Sequence, residues 1–155
     1  MIIAVGSDHG GFSLKQSVLD AITEAGHEYL DLGVNEANRV DYPDYARLVC
    51  EAILAGKAER GIAICGSGVG MAIAVNKYKG IYGSVCHDTY CAHQGVEHDN
   101  MNVLCLGARV IGDALAKEIV KSYLGAQFFN RGNYLKRVKK IQQVENEQEG
   151  SKKNE

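Results

Sequence analysis

One stretch limits what this chain can fold into more than any other: Gly61-Ile62-Ala63-Ile64-Cys65-Gly66-Ser67-Gly68-Val69-Gly70-Met71-Ala72. Its opening apolar run has no polar alternation and reads as a strand buried on both faces. The run meets a cysteine and then glycines at the alternate positions 66, 68 and 70, before a sequence able to start a helix. A strand, a tight turn and a helix start leave backbone N–H groups unpaired and facing one point, which is an anion site. The field that draws an anion also favours a thiolate. Cys65, at the rim of the turn, is therefore a candidate base or nucleophile beside a cradle for negative charge.

The rest of the chain repeats the same alternation. Ile2-Ile3-Ala4-Val5 is a short apolar run that ends in Gly6-Ser7-Asp8-His9-Gly10-Gly11. Residues 12–25 carry Leu14, Val18, Leu19 and Ile22 at helical spacing, with Gly26 as a stop. A second strand is expected over 29–33, then a polar connection to Pro43, which suits the first turn of a helix carrying Tyr45, Leu48, Val49, Ala52 and Ile53. Further strands are expected over 81–86 and 103–107, a helix from Thr89 into a polar knot at 97–102, and another helix over 111–124. Tyr134, Leu135, Val138, Ile141 and Val144 mark a last amphipathic helix. Strand and helix thus alternate five times. The pattern implies a doubly wound five-stranded parallel sheet, a Rossmann-like three-layer sandwich with right-handed crossovers. In such folds the site lies beyond the carboxyl ends of the strands. Asp8-His9, the Cys65 loop, His87-Asp88 and Arg109 all follow strand ends and should meet at one edge. The last helix has no strand left to cover, so it is expected to pack on a partner subunit.

Composition narrows the function. The 155 residues suit one domain, read as 1–147 with a disordered tail over 148–155. A net charge of -2 offers nothing to nucleic acid or an acidic membrane surface, and no apolar segment approaches the roughly 20 residues of a membrane span. The first residues read as a strand and not a signal peptide, so a cytoplasmic protein is expected. Cys50, Cys65, Cys86, Cys91 and Cys105 form no C-x-x-C pair, which fits reduced thiols. His93 and His98 are not spaced as a helical metal pair and no H-E-x-x-H occurs, so no metal or other cofactor is expected. Cys50, Cys86, Cys91 and Cys105 read as packing, His27 as surface, and His87 and His93 as supporting residues.

Several segments together resemble a known family: Gly6-Ser7-Asp8-His9-Gly10-Gly11, Val40-Asp41-Tyr42-Pro43-Asp44, Ile64-Cys65-Gly66-Ser67-Gly68-Val69-Gly70-Met71, Ala74-Val75-Asn76-Lys77 and the run from Asn102 to Gly112. The family is ribose-5-phosphate isomerase type B, in a group that also holds galactose-6-phosphate isomerase subunits and tetrose-phosphate isomerases. The resemblance implies a metal-independent aldose–ketose isomerase of the pentose phosphate pathway, interconverting ribose 5-phosphate and ribulose 5-phosphate. It also implies a homodimer with shared sites, with pairing into a tetramer left open. Cys65 matches the base that moves a proton between C1 and C2 through a cis-enediolate. Ser67 and the amides of Gly66, Gly68, Val69 and Gly70 match the cradle for that intermediate. Asp8, His9 and His98 match positions for ring opening and sugar or phosphate contact, the His98 segment coming from the neighbouring subunit. Tyr42, Asp99, Asn100 and Arg109 fall at substrate-binding positions. Two features depart from the family. His98-Asp99-Asn100 stands where His-Asn-Asp is usual, and the phosphate-clamping arginine pair is irregular, leaving Arg131, Lys136 and Arg137 as candidates.

Two other readings stay open. The substrate could be galactose 6-phosphate, allose 6-phosphate or a tetrose phosphate. A nucleotide-binding module is the rival from another class, since Gly66-Ser67-Gly68 follows a strand. The third glycine of that fingerprint would fall at Met71, however, and the loop follows the third strand instead of the first.

Overall fold

The computed structural model describes residues 1–152. Eleven elements follow one another: β1 (Ile2–Ser7), α1 (Phe12–Glu24), β2 (Glu28–Asp31), α2 (Tyr42–Leu54), β3 (Arg60–Cys65), α3 (Val69–Val75), β4 (Gly83–Val85), α4 (Thr89–Asp99), β5 (Val103–Gly107), α5 (Asp113–Gly125) and α6 (Gly132–Lys152). The strands form one sheet in the order β2-β1-β3-β5-β4, with every pairing parallel. This is the doubly wound sandwich that the apolar runs imply.

Side-chain alternation sorts the two faces by size. Ile3, Val5, Ile62, Ile64, Leu104 and Leu106 turn to one side, where Leu14, Val18 and Ile22 of α1 and Ile119, Val120 and Tyr123 of α5 cover them. Ala4, Ala63, Cys65, Val103 and Cys105 turn to the other, under Ala46, Val49 and Cys50 of α2 and Met71 and Val75 of α3. The second face carries smaller side chains, so α2 comes close. A β-carbon on Gly6 would lie 2.7 Å from Val49 Cγ2 and 2.9 Å from the Tyr45 carbonyl oxygen. Cys65 is the last residue of the small face.

Three boundaries differ from the sequence expectation. The fourth strand shrinks to Gly83–Val85, because the Asn102 side chain takes over the ladder just before it, accepting the Tyr82 N–H (2.8 Å) and donating to the Gly80 carbonyl (2.9 Å). The polar knot begins inside α4, which runs to Asp99 and is closed by Asn100 at φ 56°. The last helix starts at Gly132 and continues through 148–152, where a disordered tail was expected; the rest of that stretch, 153–155, lies outside the described residues. Within the chain α6 packs on α4 and on the turn before β4. Glu145 accepts from Gly80 N–H (3.3 Å) and from the Tyr82 hydroxyl (3.1 Å), while Ile141 and Val144 stay exposed.

The amino edge of the sheet is fastened separately. Arg60, opening β3, donates to the carbonyls of Tyr123 (2.8 Å) and Ala126 (2.7 Å) at the end of α5, and the Tyr123 hydroxyl donates to Gly61 O (3.2 Å). Arg60→Ala should lower the unfolding free energy by about 2 kcal/mol, the scale of charged hydrogen bonds to carbonyls. Urea melts measure it, and turnover at the opposite edge should hold.

Candidate active site

At the carboxyl edge β3 and β5 end together, with Cys65 opposite Gly107. The turn after Cys65 lies directly on the turn after Gly107. Ala108 N–H donates to Cys65 O (2.9 Å) and Arg109 N–H to Gly66 O (3.0 Å). Gly68 adopts φ 80°, a left-handed conformation that favours glycine, and a β-carbon there would lie 3.0 Å from the Leu106 carbonyl carbon. The geometry fixes where the turn's amides go. Gly68 N–H donates to Cys65 Sγ (3.1 Å), and Val69 N–H to Ser67 Oγ (3.3 Å). The N–H groups of Gly66 and Ser67 have no partner among the described residues. Since α3 spans only seven residues, these amides and not a long helix dipole supply the positive field.

Cys65 is 5% exposed and differs from the other thiols in what surrounds it. Burial pushes Cys50 up to about 12 and Cys86 up to about 11, and raises Cys105 as well. Asp88, hydrogen-bonded to Cys91, raises that thiol. All four are held as thiols; Cys50, Cys86 and Cys105 are buried as packing residues, whereas Cys91, expected to pack, is exposed near the start of α4. Cys65 has a peptide N–H aimed at its sulfur, a donor that stabilises negative charge there.

Beside the turn, which it meets through Tyr42 and Arg109, lies an open cleft of about 800 Å³ lined by Asp8, His9, Ala37, Arg39, Val40, Asp41, Tyr42, Pro43, Asp44 and Arg109. Asp8, only 6% exposed, accepts the Gly11 N–H on Oδ1 (2.9 Å) and donates its own N–H to Ile64 O (3.2 Å). The Arg109 guanidinium lies over Gly66, where a β-carbon would sit 3.1 Å from Nη1. Tyr42 packs its ring against Gly70 at the start of α3, leaving 2.8 Å to a β-carbon there. Asp8, His9, Tyr42, Cys65, Gly66, Ser67, Gly68, Val69, Gly70 and Arg109 are thus gathered at one edge, as the strand ends imply. Arg39, Asp41 and Asp44 also line the cleft, and Asp41 and Asp44 flank Tyr42-Pro43 in a segment the sequence already singles out.

The remaining candidates are elsewhere in the chain. α4 ends beside the start of β5, at the amino edge, so His98 and Asp99 are separated from Cys65 by the length of the strands, about 13 Å for four residues. Asp99 lines a smaller cavity of about 260 Å³ with Cys86, Cys91 and Met101. His98 Nδ1 pairs with Gln94 Nε2 (2.7 Å), and its ring lies 4.6 Å from that of Tyr134 and 5.9 Å from that of Phe129. Phe129 N–H donates to Glu97 O (2.9 Å). Arg131, Asn133, Tyr134 and Arg137 line a second open cleft of about 480 Å³, and Lys136 lines the next one along α6 with Lys139 and Lys140. One chain therefore carries two separate groups of the expected residues. Among the described residues no cluster of three or more His, Cys, Asp or Glu side chains could hold a metal ion.

A doubly wound sheet with a thiol, free amides, a fixed carboxylate and an arginine at its carboxyl edge defines a protein built to hold a small anionic substrate. Comparison with known proteins gives the family. The family model described as Ribose/Galactose Isomerase matches residues 3–141. The chain is 44% identical over 143 residues to ribose-5-phosphate isomerase B of Escherichia coli (strain K12), covering 92% of this chain and 95% of that one. It is 40% identical to D-erythrulose-4-phosphate isomerase of Pectobacterium atrosepticum, covering 94% and 96%. The solved ribose-5-phosphate isomerase B of Clostridium thermocellum superposes with a TM-score of 0.90 at 44% identity, covering 95% and 99%. The chain belongs to the ribose/galactose isomerase family, the sugar-phosphate isomerases that include type B ribose-5-phosphate isomerase.

One residue that spacing left in a supporting role has a clear task. His87 Nε2 accepts the Gly107 N–H (2.9 Å), closing the end of β5 under the turn. Burial holds His87 below the ordinary histidine value, with Asp88 opposing. As the pH falls, the unfolded chain binds this proton first. The contribution is complete above about 6.5, the unfolded value, and is lost as the pH drops from there toward the lower folded value. His87→Gln, which keeps an acceptor, should flatten the decline in melting temperature below that pH. His27, also lowered by burial, leaves both proteins a common residual slope.

Proposed function

We propose that the protein interconverts ribose 5-phosphate and ribulose 5-phosphate by proton transfer at Cys65. The thiolate takes the proton from C2 of the open aldose, and the electron pair moves onto the carbonyl oxygen at C1. The free amides of Gly66 and Ser67, with the Ser67 hydroxyl, hold that oxygen's charge. The thiol then returns the proton to C1, while a proton moves between the two oxygens. Preorganised donors are most effective where charge develops in the transition state. The observation that carries the reading is this pairing of a near-buried sulfur with unpartnered amides on the same turn.

Ring opening needs a second acid/base pair, and we assign it to Asp8 and to His98 of a neighbouring copy. The support is the separation of the two groups along the strands. An isologous pair brings one chain's carboxyl-edge group to the other's His98 group, and does so twice. The second group is also the cationic one, with Arg131, Lys136 and Arg137 available to a phosphate.

A second substrate reading has its own support. The match to a D-erythrulose-4-phosphate isomerase is slightly longer than that to ribose-5-phosphate isomerase B, 147 residues against 143, at 40% identity against 44%, so a tetrose phosphate competes with the pentose. Galactose 6-phosphate and allose 6-phosphate complete the set to be tested. A panel of aldose phosphates assayed for ketose formation decides, with the highest kcat/KM on ribose 5-phosphate expected.

Cys65→Ala should abolish measurable turnover while the protein still binds substrate; near-normal turnover would remove Cys65 as the base. Ser67→Ala should cost roughly one to two orders of magnitude in kcat, since two amides remain at the oxyanion. Cys65→Ala and His98→Ala proteins, each inactive, should complement when unfolded together and refolded. Random pairing leaves one intact site in half of the dimers, about a quarter of wild-type activity. No recovery would mean that each site is built from a single chain.

A further inference from the structure

Lys15 has no part in the chemistry above, yet it is one of the few buried polar residues, 6% exposed on α1. An ammonium has three donors, and here all are used: on Asp31 Oδ1 (3.2 Å), Asp31 Oδ2 (2.9 Å) and the Val34 carbonyl (2.6 Å). Asp31 Oδ1 also accepts the Gly33 N–H (3.0 Å). Leu32 N–H donates to Val5 O (2.8 Å) and Val34 N–H to Ser7 O (3.0 Å). Residues 31–34 are thereby tied to β1 and α1 together. The five residues that follow, 35–39, are exposed. The next fastening is Val40, whose N–H donates to His9 Nδ1 (3.2 Å).

The last bond constrains the imidazole. A peptide N–H can only donate, so Nδ1 accepts and the ring proton resides on Nε2. His9 lines the cleft and so presents an Nε2–H donor to an anionic ligand. The connection 32–41 hangs between these two ends, and its final residues, Arg39 to Asp41, wall the cleft beside Tyr42. An ion pair with one partner partly open to solvent adds little net stability, so the consequence of this one is geometric. We infer that Lys15 is a positioning residue for the active site. By pinning residues 31–34, it sets where the Val40 N–H falls and so keeps His9 as a hydrogen-bond donor toward the sugar phosphate.

The kinetic part rests on the isomerase reading; the structural part does not. Nitrogen NMR of the His9 ring should show a single Nε2–H tautomer in the wild type. In Lys15→Met the ring should show mixed tautomers. The amides of Val34 and Val40 should exchange faster, with those of β1, β3 and β5 unchanged. KM for the turned-over sugar phosphate should rise about tenfold, the size of one lost hydrogen bond, with kcat within about twofold. An unchanged tautomer and KM would overturn the inference, as would a fall in kcat and melting temperature without a tautomer change. If Lys15→Met does not fold, Asp31→Asn serves instead. It leaves Lys15 its bond to Val34, and the same pattern is expected at smaller amplitude. Should the wild type turn over no aldose phosphate, the isomerase reading fails, and the tautomer and exchange data still decide the role of Lys15.

Discussion

The active-site edge depends on one backbone-to-backbone contact. The turn that ends β3 rests on the peptide units that end β5, with no side chain between them. A β-carbon on Gly107 would lie 2.6 Å from the Ser67 carbonyl carbon, and one on Gly68 would meet Leu106. Because the contact is made by main chain, the turn inherits the rigidity of the central strands. Its free amides need no reorganisation when charge appears beside them, which is what makes such donors effective. His87 extends the arrangement by one bond, closing the Gly107 N–H from the far side.

The same edge explains why one cysteine of five has a chemical setting. Alternation along β3 sends Ile62 and Ile64 to the large-residue face and Ala63 and Cys65 to the small one. Cys105 lies on that face too, but mid-strand, where burial keeps its proton on. Cys65 comes two residues after Ala63 at the point where the strand stops and the amides of the turn begin. Position along the strand therefore separates the two thiols, although both belong to the same layer of the core. A small face also lets α2 approach closely, and α2 begins with Tyr42, whose ring closes over Gly70. Residue size in the sheet and the width of the cleft are parts of one packing solution.

Much of this was legible in the sequence because it follows from unbroken apolar runs. β1, β3 and β5 are central, buried on both faces, and nearly free of polar residues, so their positions and the direction of their ends could be read directly. The edge strands were harder: β2 and β4 are short and partly exposed, and Asn102 replaces part of the β4 ladder through a side chain that no periodicity reveals. α6 runs on past its apolar stripe through a polar stretch that reads as tail. Asp8, Cys65 and Arg109 could be placed together from strand order alone. Lys15 could not, because a lysine on an amphipathic helix reads as solvated until Asp31 and Val34 are seen across from it.

Charge divides the molecule as strand length does. The cleft at the carboxyl edge sets Asp8, Asp41 and Asp44 against Arg39 and Arg109, so its formal charges nearly cancel. The clefts at the start of α6 hold Arg131, Arg137, Lys136, Lys139 and Lys140 with no carboxylate among their lining residues. A sugar phosphate has one end that must be held by donors while a carbonyl becomes an enediolate, and another that carries most of the charge. Neither group suits both ends. Joining the carboxyl edge of one chain to the cationic end of another would give each end of the substrate the surface it needs.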